Sequence, residues 1–215
     1  MSIFDQKTTQ HLTQLLSQIV NPIKINFWTQ EFECPTCNMN RKFLEEFSSF
    51  NNKIKLNIHD FVKEKELADK YNIDKIPAII VSDENENNMS VRFYGIPAGY
   101  EINSFIAACL EFSKPDKIDD IEPEIIERIK KIDKKIHIQV FVTLTCPYCP
   151  SAVAVAHRIA LINPNITSDM IESSTFTPLA IKYNVSSVPK TIINDKIEFV
   201  GAQPINVLVE TIEKL

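Results

Sequence analysis

The chain is written twice. Cys34 and Cys146 lie 112 positions apart, and so do Cys37 and Cys149, Pro77 and Pro189, and the identical triplets Lys70-Tyr71-Asn72 and Lys182-Tyr183-Asn184. So many coincidences at one offset mark a tandem duplication, so the fold has to be one that fits twice into 215 residues. That length suits two small domains, each with a modest core.

Each copy reads as a βαβ unit followed by a β-hairpin and a closing helix. In the first, Ile23 to Trp28 is an apolar strand, a helix follows the cysteines through Phe47, and Lys53 to Ile58 alternates as a half-buried strand does. A short helix over Glu64 to Tyr71, the strand after Pro77, a polar turn, a strand to Tyr94 and a helix over Glu101 to Phe112 complete it. The second copy repeats the course from His137 to the last helix after Pro204. Extra helices are expected before each first strand, near Asp5 to Val20 and Pro123 to Ile132. Ser113 to Pro123 is polar, charged and bracketed by prolines, which reads as a linker dividing units 1–116 and 117–215. The expected class is α/β: two fused units, each with a mixed central sheet and helices on both faces.

Apolar residues make up 44% of the chain and charged residues 24%, and the net charge is −5. No basic patch is set to hold phosphates, so nucleic acid is not an expected partner. No apolar run approaches the roughly 18 residues that span a bilayer, and the first residues lack the pattern of a signal peptide. The expected location is the cytoplasm, with no membrane partner.

Four of the five cysteines form two C-x-x-C pairs, Cys34/Cys37 and Cys146/Cys149, which in such a setting means redox or metal chemistry. Zinc ribbons place their pairs roughly 15 to 20 residues apart. Here 108 residues separate Cys37 from Cys146, and the pairs hold equivalent places in separate repeats. No metal site is expected. Each pair follows a strand and opens a helix, where unpaired N–H groups favour an anion and lower a thiol's pKa. Cys34 or Cys146 would attack a substrate disulfide, and Cys37 or Cys149 would resolve the mixed disulfide. Pro35 and Pro147 are expected in the first helical turn. The fifth, Cys109, reads as a small buried hydrophobe on the closing helix.

These residues carry a resemblance. WTQEFECPTC, KLNI, KYNIDKIPAII and the closing glycine resemble thioredoxin. The tandem form, with CPYCP in the second half and FYGIPAGYE closing the first, resembles the glutaredoxin-like protein disulfide oxidoreductases of thermophilic archaea and bacteria. The resemblance implies two fused thioredoxin folds and reduction, formation or isomerisation of protein disulfides. It also implies disulfide-bearing protein substrates and a reductase partner of the thioredoxin-reductase flavoprotein kind. No tightly bound cofactor is expected. It further implies cis peptide bonds at Ile76-Pro77 and Val188-Pro189, where the residue before proline pairs with the substrate chain. Thioredoxin's buried aspartate falls at Asn26 in the first unit and near Gln139 in the second, and neither amide can act as that base. Lys55 matches the lysine beside that aspartate, so protons are expected to move through water, or through Lys55 in the first unit only.

The two sites read as unequal. Glu31 and Glu33 flank Cys34 and disfavour a thiolate, whereas Thr143 and Thr145 lead to Cys146 without charge. Cys146 is thus expected to ionise more easily and to carry most exchange, with Tyr148 as an aromatic rim for a peptide. His11, His59 and His137 read as surface or strand-edge residues. Two other functions fit the same chain: a chaperone-like peptide-binding module, or a dithiol electron carrier dedicated to a peroxidase.

Overall fold

The computed structural model describes residues 2–114, 118 and 120–215. The division between 116 and 117 falls outside the described residues.

After helix α1 (Gln6–Leu16), the first unit runs β1 (Ile23–Thr29), α2 (Cys37–Ser49), β2 (Ile54–Asp60), α3 (Lys65–Lys70), β3 (Ala78–Asp83), β4 (Val91–Tyr94) and α4 (Ile102–Phe112). After α5 (Pro123–Lys130), the second repeats the order as β5 (Ile136–Val142), α6 (Cys149–Ile162), β6 (Ile166–Glu172), α7 (Thr177–Lys182), β7 (Lys190–Ile193), β8 (Ile197–Val200) and α8 (Ile205–Glu213). The expected elements are present, and the expected class holds. The duplicated pairs of strands match in register too: Asn26 faces Asn57 across β1–β2, and Gln139 faces Asp169 across β5–β6.

The two sheets are one. Strand order is β2-β1-β3-β4-β6-β5-β7-β8, and the units join by parallel pairing of β4 with β6, where Arg92 faces Asp169. Alternation along β1 sends Ile25 and Phe27 into the larger core, with Phe43 and Phe47 of α2 and Phe105 of α4. That core is continuous across the seam and includes Val153 and Ala156 of α6. Trp28 points to the other face, into a smaller cluster with Ala68 of α3, Tyr94 and Phe141. Helices interlock across the seam as well: Arg158 of α6 pairs with Glu111 of α4. Gly95, at φ +100°, sits where a Cβ would lie 2.5 Å from Glu172 Cβ of the other unit, so only glycine permits this approach.

Candidate active sites

The strand pairings make β1 and β5 parallel and place them four strands apart in the sheet. Both cysteine pairs therefore follow the C-terminal ends of strands that run the same way, and those strands lie about 19 Å apart at about 4.8 Å per strand. The pairs are two sites and do not share one four-ligand metal centre.

Each pair is closed as a disulfide, with Cα–Cα distances of 5.4 Å for Cys34–Cys37 and 5.5 Å for Cys146–Cys149. Helical structure begins at the second cysteine of each pair. Pro35 and Pro147 therefore lie in the turn before the helix, one step earlier than expected, and Cys37 N–H closes that turn onto Cys34 C=O at 3.2 Å. The first cysteine still stands at the positive end of the helix, where a thiolate is favoured. The second is shut in: Cys37 is 2% exposed and Cys149 is fully buried.

Both X-Pro bonds, Ile76-Pro77 and Val188-Pro189, are cis. Their surroundings repeat: Pro77 C=O accepts from Gly95 N–H at 3.1 Å, and Pro189 C=O from Gly201 N–H at 2.8 Å. Val188 is brought to its cysteine, with Cys146 Sγ 3.8 Å from the Val188 carbonyl oxygen. Tyr148, the residue before α6, stands 71% exposed beside the second site.

The two sites differ in their flanks. Cys34 is partly exposed and opens into a cavity of about 480 Å3 lined by Glu31, Arg41, Asp60, Lys63 and Glu64 among others. Cys146 is only 8% exposed. Its flank is filled by the first unit: a 3-10 turn, Gly99–Glu101, packs on α6, and Tyr100 N–H donates to Leu144 C=O at 3.0 Å. This turn carries a residue that the sequence does not single out. Glu101 is fully buried, with Oε2 held by Ser104 Oγ at 2.5 Å and Oε1 unpartnered among the described residues. Burial pushes its pKa up to about 7, although the Ser104 bond opposes the rise. The first unit thus supplies a buried carboxyl in the turn that packs on the helix of the second pair. In the sequence it reads only as an acidic residue opening α4, an ordinary place for one.

The amides at the thioredoxin-aspartate positions are both buried. Gln139 donates to Asp195 Oδ1 at 3.2 Å, and Tyr183 OH also donates to that carboxylate. In the first unit Asn26 Nδ2 donates to Glu86 at 3.2 Å, and Tyr71 OH donates to the same carboxylate at 3.1 Å. Each unit thus fastens its central strand to its hairpin turn through an amide, a carboxylate and a tyrosine. Lys55 does not take part: its ammonium turns outward to Glu84, because Asn57, not Lys55, faces Asn26 in the register. Glu86, in the polar turn between β3 and β4, turns inward. Cys109 is buried as expected, and burial pushes its thiol far up. His137 of β5 pairs with Asp169 of β6 at 2.6 Å within the second unit.

The family model described as "Thioredoxin domain" matches residues 136–214. The solved NTD_N/C domain of alkylhydroperoxide reductase from Enterococcus faecalis is 27% identical, with a TM-score of 0.89, covering 97% of this chain and 99% of that one. A protein disulfide oxidoreductase from Aeropyrum pernix is 26% identical, with a TM-score of 0.88, covering 99% and 94%. An alkyl hydroperoxide reductase component of Staphylococcus aureus is 33% identical over 137 residues, 64% of this chain and 26% of that protein. The chain spans about a quarter to a third of the length of the curated relatives it matches. The chain is a thioredoxin-fold protein that resembles the protein disulfide oxidoreductases over nearly its whole length, with two Cys-x-x-Cys pairs that fit thiol–disulfide exchange.

Proposed function

We propose that the protein is a dithiol–disulfide oxidoreductase that reduces, forms or reshuffles disulfides of protein substrates in the cytoplasm. Cys34 and Cys146 are the attacking thiols, Cys37 and Cys149 the resolving ones. Ile76-Pro77 and Val188-Pro189, with Tyr148 at the second site, hold the substrate chain. The observation that carries this reading is the repeated arrangement itself: a first cysteine at a helix mouth and a buried second one with its Cα 5.4–5.5 Å away. The second site has in addition a backbone carbonyl, Val188, at its attacking sulfur. A flavoprotein of the reductase kind would supply electrons.

The second reading, an electron carrier serving a peroxidase, draws on the similarity to alkyl hydroperoxide reductase components. The chemistry at the cysteines is the same in both, and only the client differs.

Insulin-disulfide reduction with dithiothreitol tests the proposal on the wild type, Cys34→Ser and Cys146→Ser. The expected result is an active wild type, a collapse in Cys146→Ser and a smaller loss in Cys34→Ser. Activity no higher than background in the wild type would hand the lead to the chaperone-like module. Survival of most activity in Cys146→Ser would overturn the ranking of the sites.

A further inference from the structure

Glu101 lies in the turn that packs on α6 of the second unit. A different arrangement borders the cavity into which Cys34 opens. His59, at the end of β2, stacks on Trp28 with ring centroids 4.7 Å apart and is 16% exposed. Its Nε2 lies 3.2 Å from Asn26 Oδ1, and its Nδ1 lies 2.8 Å from Glu64 Oε2. Glu64 in turn lines the cavity into which Cys34 opens.

Both ring nitrogens of His59 face side-chain oxygens. Asn26 gives its NH2 to Glu86 and takes an N–H from Asn57 at 2.9 Å on its oxygen, so that oxygen is an acceptor and His59 Nε2 carries a hydrogen. The opposite nitrogen faces a carboxylate, which is an acceptor as well. Glu64 Oε1 already takes Asp60 N–H at 3.0 Å. The pair is thus placed to share a proton between His59 Nδ1 and Glu64 Oε2. In line with this, the His59 bond outweighs desolvation and lowers the Glu64 pKa. The positions equivalent to His59 and Glu64 in the second unit are Ile171 and Phe176, so this pair belongs to the first site only.

We propose that the His59–Glu64 pair holds the proton traded by the Cys34–Cys37 site, so that the two sites of this chain manage protons with different groups. This rests on the exchange reading above. The Cys34 thiolate attacks a client disulfide; the S–S bond breaks, and the leaving client sulfur takes the shared proton. Cys37–SH then returns a proton to the pair and attacks the Cys34 sulfur, and the second client sulfur leaves as a thiolate. The client disulfide is reduced by two electrons, and the Cys34/Cys37 dithiol is oxidised by two. Glu64 faces the reacting sulfur's cavity, and His59 is a positioning residue acting through it. The other charges around the pair are Asp60 at the end of β2, Lys63 after it, Glu31 before α2 and Arg41 on α2. Behind Asn26 stand Glu86, Tyr71 and Lys24.

The test uses the full chain with Cys146→Ser and Cys149→Ser, so that only the first pair reports. Alkylation of reduced Cys34 by iodoacetamide is followed against pH, alongside the emission of Trp28, the chain's one tryptophan, which a protonated stacked imidazole quenches. Expected is a shared inflection in both signals. His59→Gln abolishes it and slows alkylation at pH 6 about tenfold. Glu64→Gln, on a more exposed side chain, moves both signals together and carries the test should His59→Gln fail to fold. In a Cys34→Ser, Cys37→Ser background, His59→Gln leaves exchange at the second site unchanged. Alkylation profiles that match the parent's within twofold in Glu64→Gln, or signals that move apart, overturn the proposal. Loss of all insulin reduction by the parent, with the inflection intact, would sink the exchange reading at this site and leave the proton assignment standing.

Discussion

Gly99 of the first unit lies directly on Leu144 of the second: a Cβ at Gly99 would fall 2.2 Å from the Leu144 carbonyl oxygen. Gly99 has φ +60°, so a side chain is opposed by its own backbone as well as by its neighbour. Gly99→Ala should therefore lower stability by about 2 kcal/mol and slow exchange at Cys146 while sparing Cys34. Gly201 is the control. It has φ +86° and nothing within 4 Å of an added Cβ, so Gly201→Ala should cost only about 1 kcal/mol of backbone strain. Thermal melts and site-specific alkylation check both.

Glu101 should make stability fall as pH rises. Its carboxyl titrates at about 7 in the folded chain and near 4.5 in the unfolded one. Between those values the native state holds more protons than the unfolded state, so unfolding is favoured by raising the pH. The shift corresponds to a loss on the order of 3 kcal/mol across that window. Glu101→Gln should remove this slope, seen in melts from pH 4.5 to 7.5. If the carboxyl serves Cys149, the same variant slows reduction at the second site about a hundredfold and leaves the first untouched.

The repeat, both cysteine pairs and most strands can be read directly, because period-2 alternation and identical offsets are local signals. The single eight-stranded sheet cannot. Its seam pairs Val91–Tyr94 with Ser168–Ile171, two short segments whose partnership no local pattern encodes. Glu101 and His59 escape a reading of the sequence for a related reason. Each looks ordinary alone, one an acid at a helix start and the other a histidine after a strand. Each acquires its chemistry from residues distant in the chain: the Glu101 turn from Leu144, and His59 from Asn26. Lys55 shows the converse, since its KLNI match is good but the register gives Asn57 the place beside Asn26.

His157 should make the protein acid-sensitive. It is buried on α6 against Phe93, ring centroids 4.7 Å apart, with neither ring nitrogen partnered among the described residues. Burial pushes its pKa down to about 3, from 6.5. The unfolded chain binds a proton there that the native chain cannot, so stability is lost as pH falls from 6.5 toward 3. His157→Phe should flatten that part of the stability curve in melts taken between pH 4 and 7, and gain most at the acid end.

Arg158 and Glu111 should be coupled across the two units. The pair joins α6 to α4, with the Glu111 side chain 16% exposed and that of Arg158 30%. Burial raises the Glu111 pKa and the Arg158 bond opposes the rise. Removing the arginine leaves a mostly buried carboxylate without its partner, which costs more than the pair itself contributes. Arg158→Leu should destabilise by about 2 kcal/mol at pH 8 and by less at pH 5, where the orphaned Glu111 takes up a proton in place of its lost partner. Adding Glu111→Leu should restore much of the loss, because two apolar side chains then fill the α4–α6 contact. Denaturant titrations of the two single variants and the double close the cycle. Equal losses at both pH values would mean that Arg158 acts through its packed stem and not through its charge.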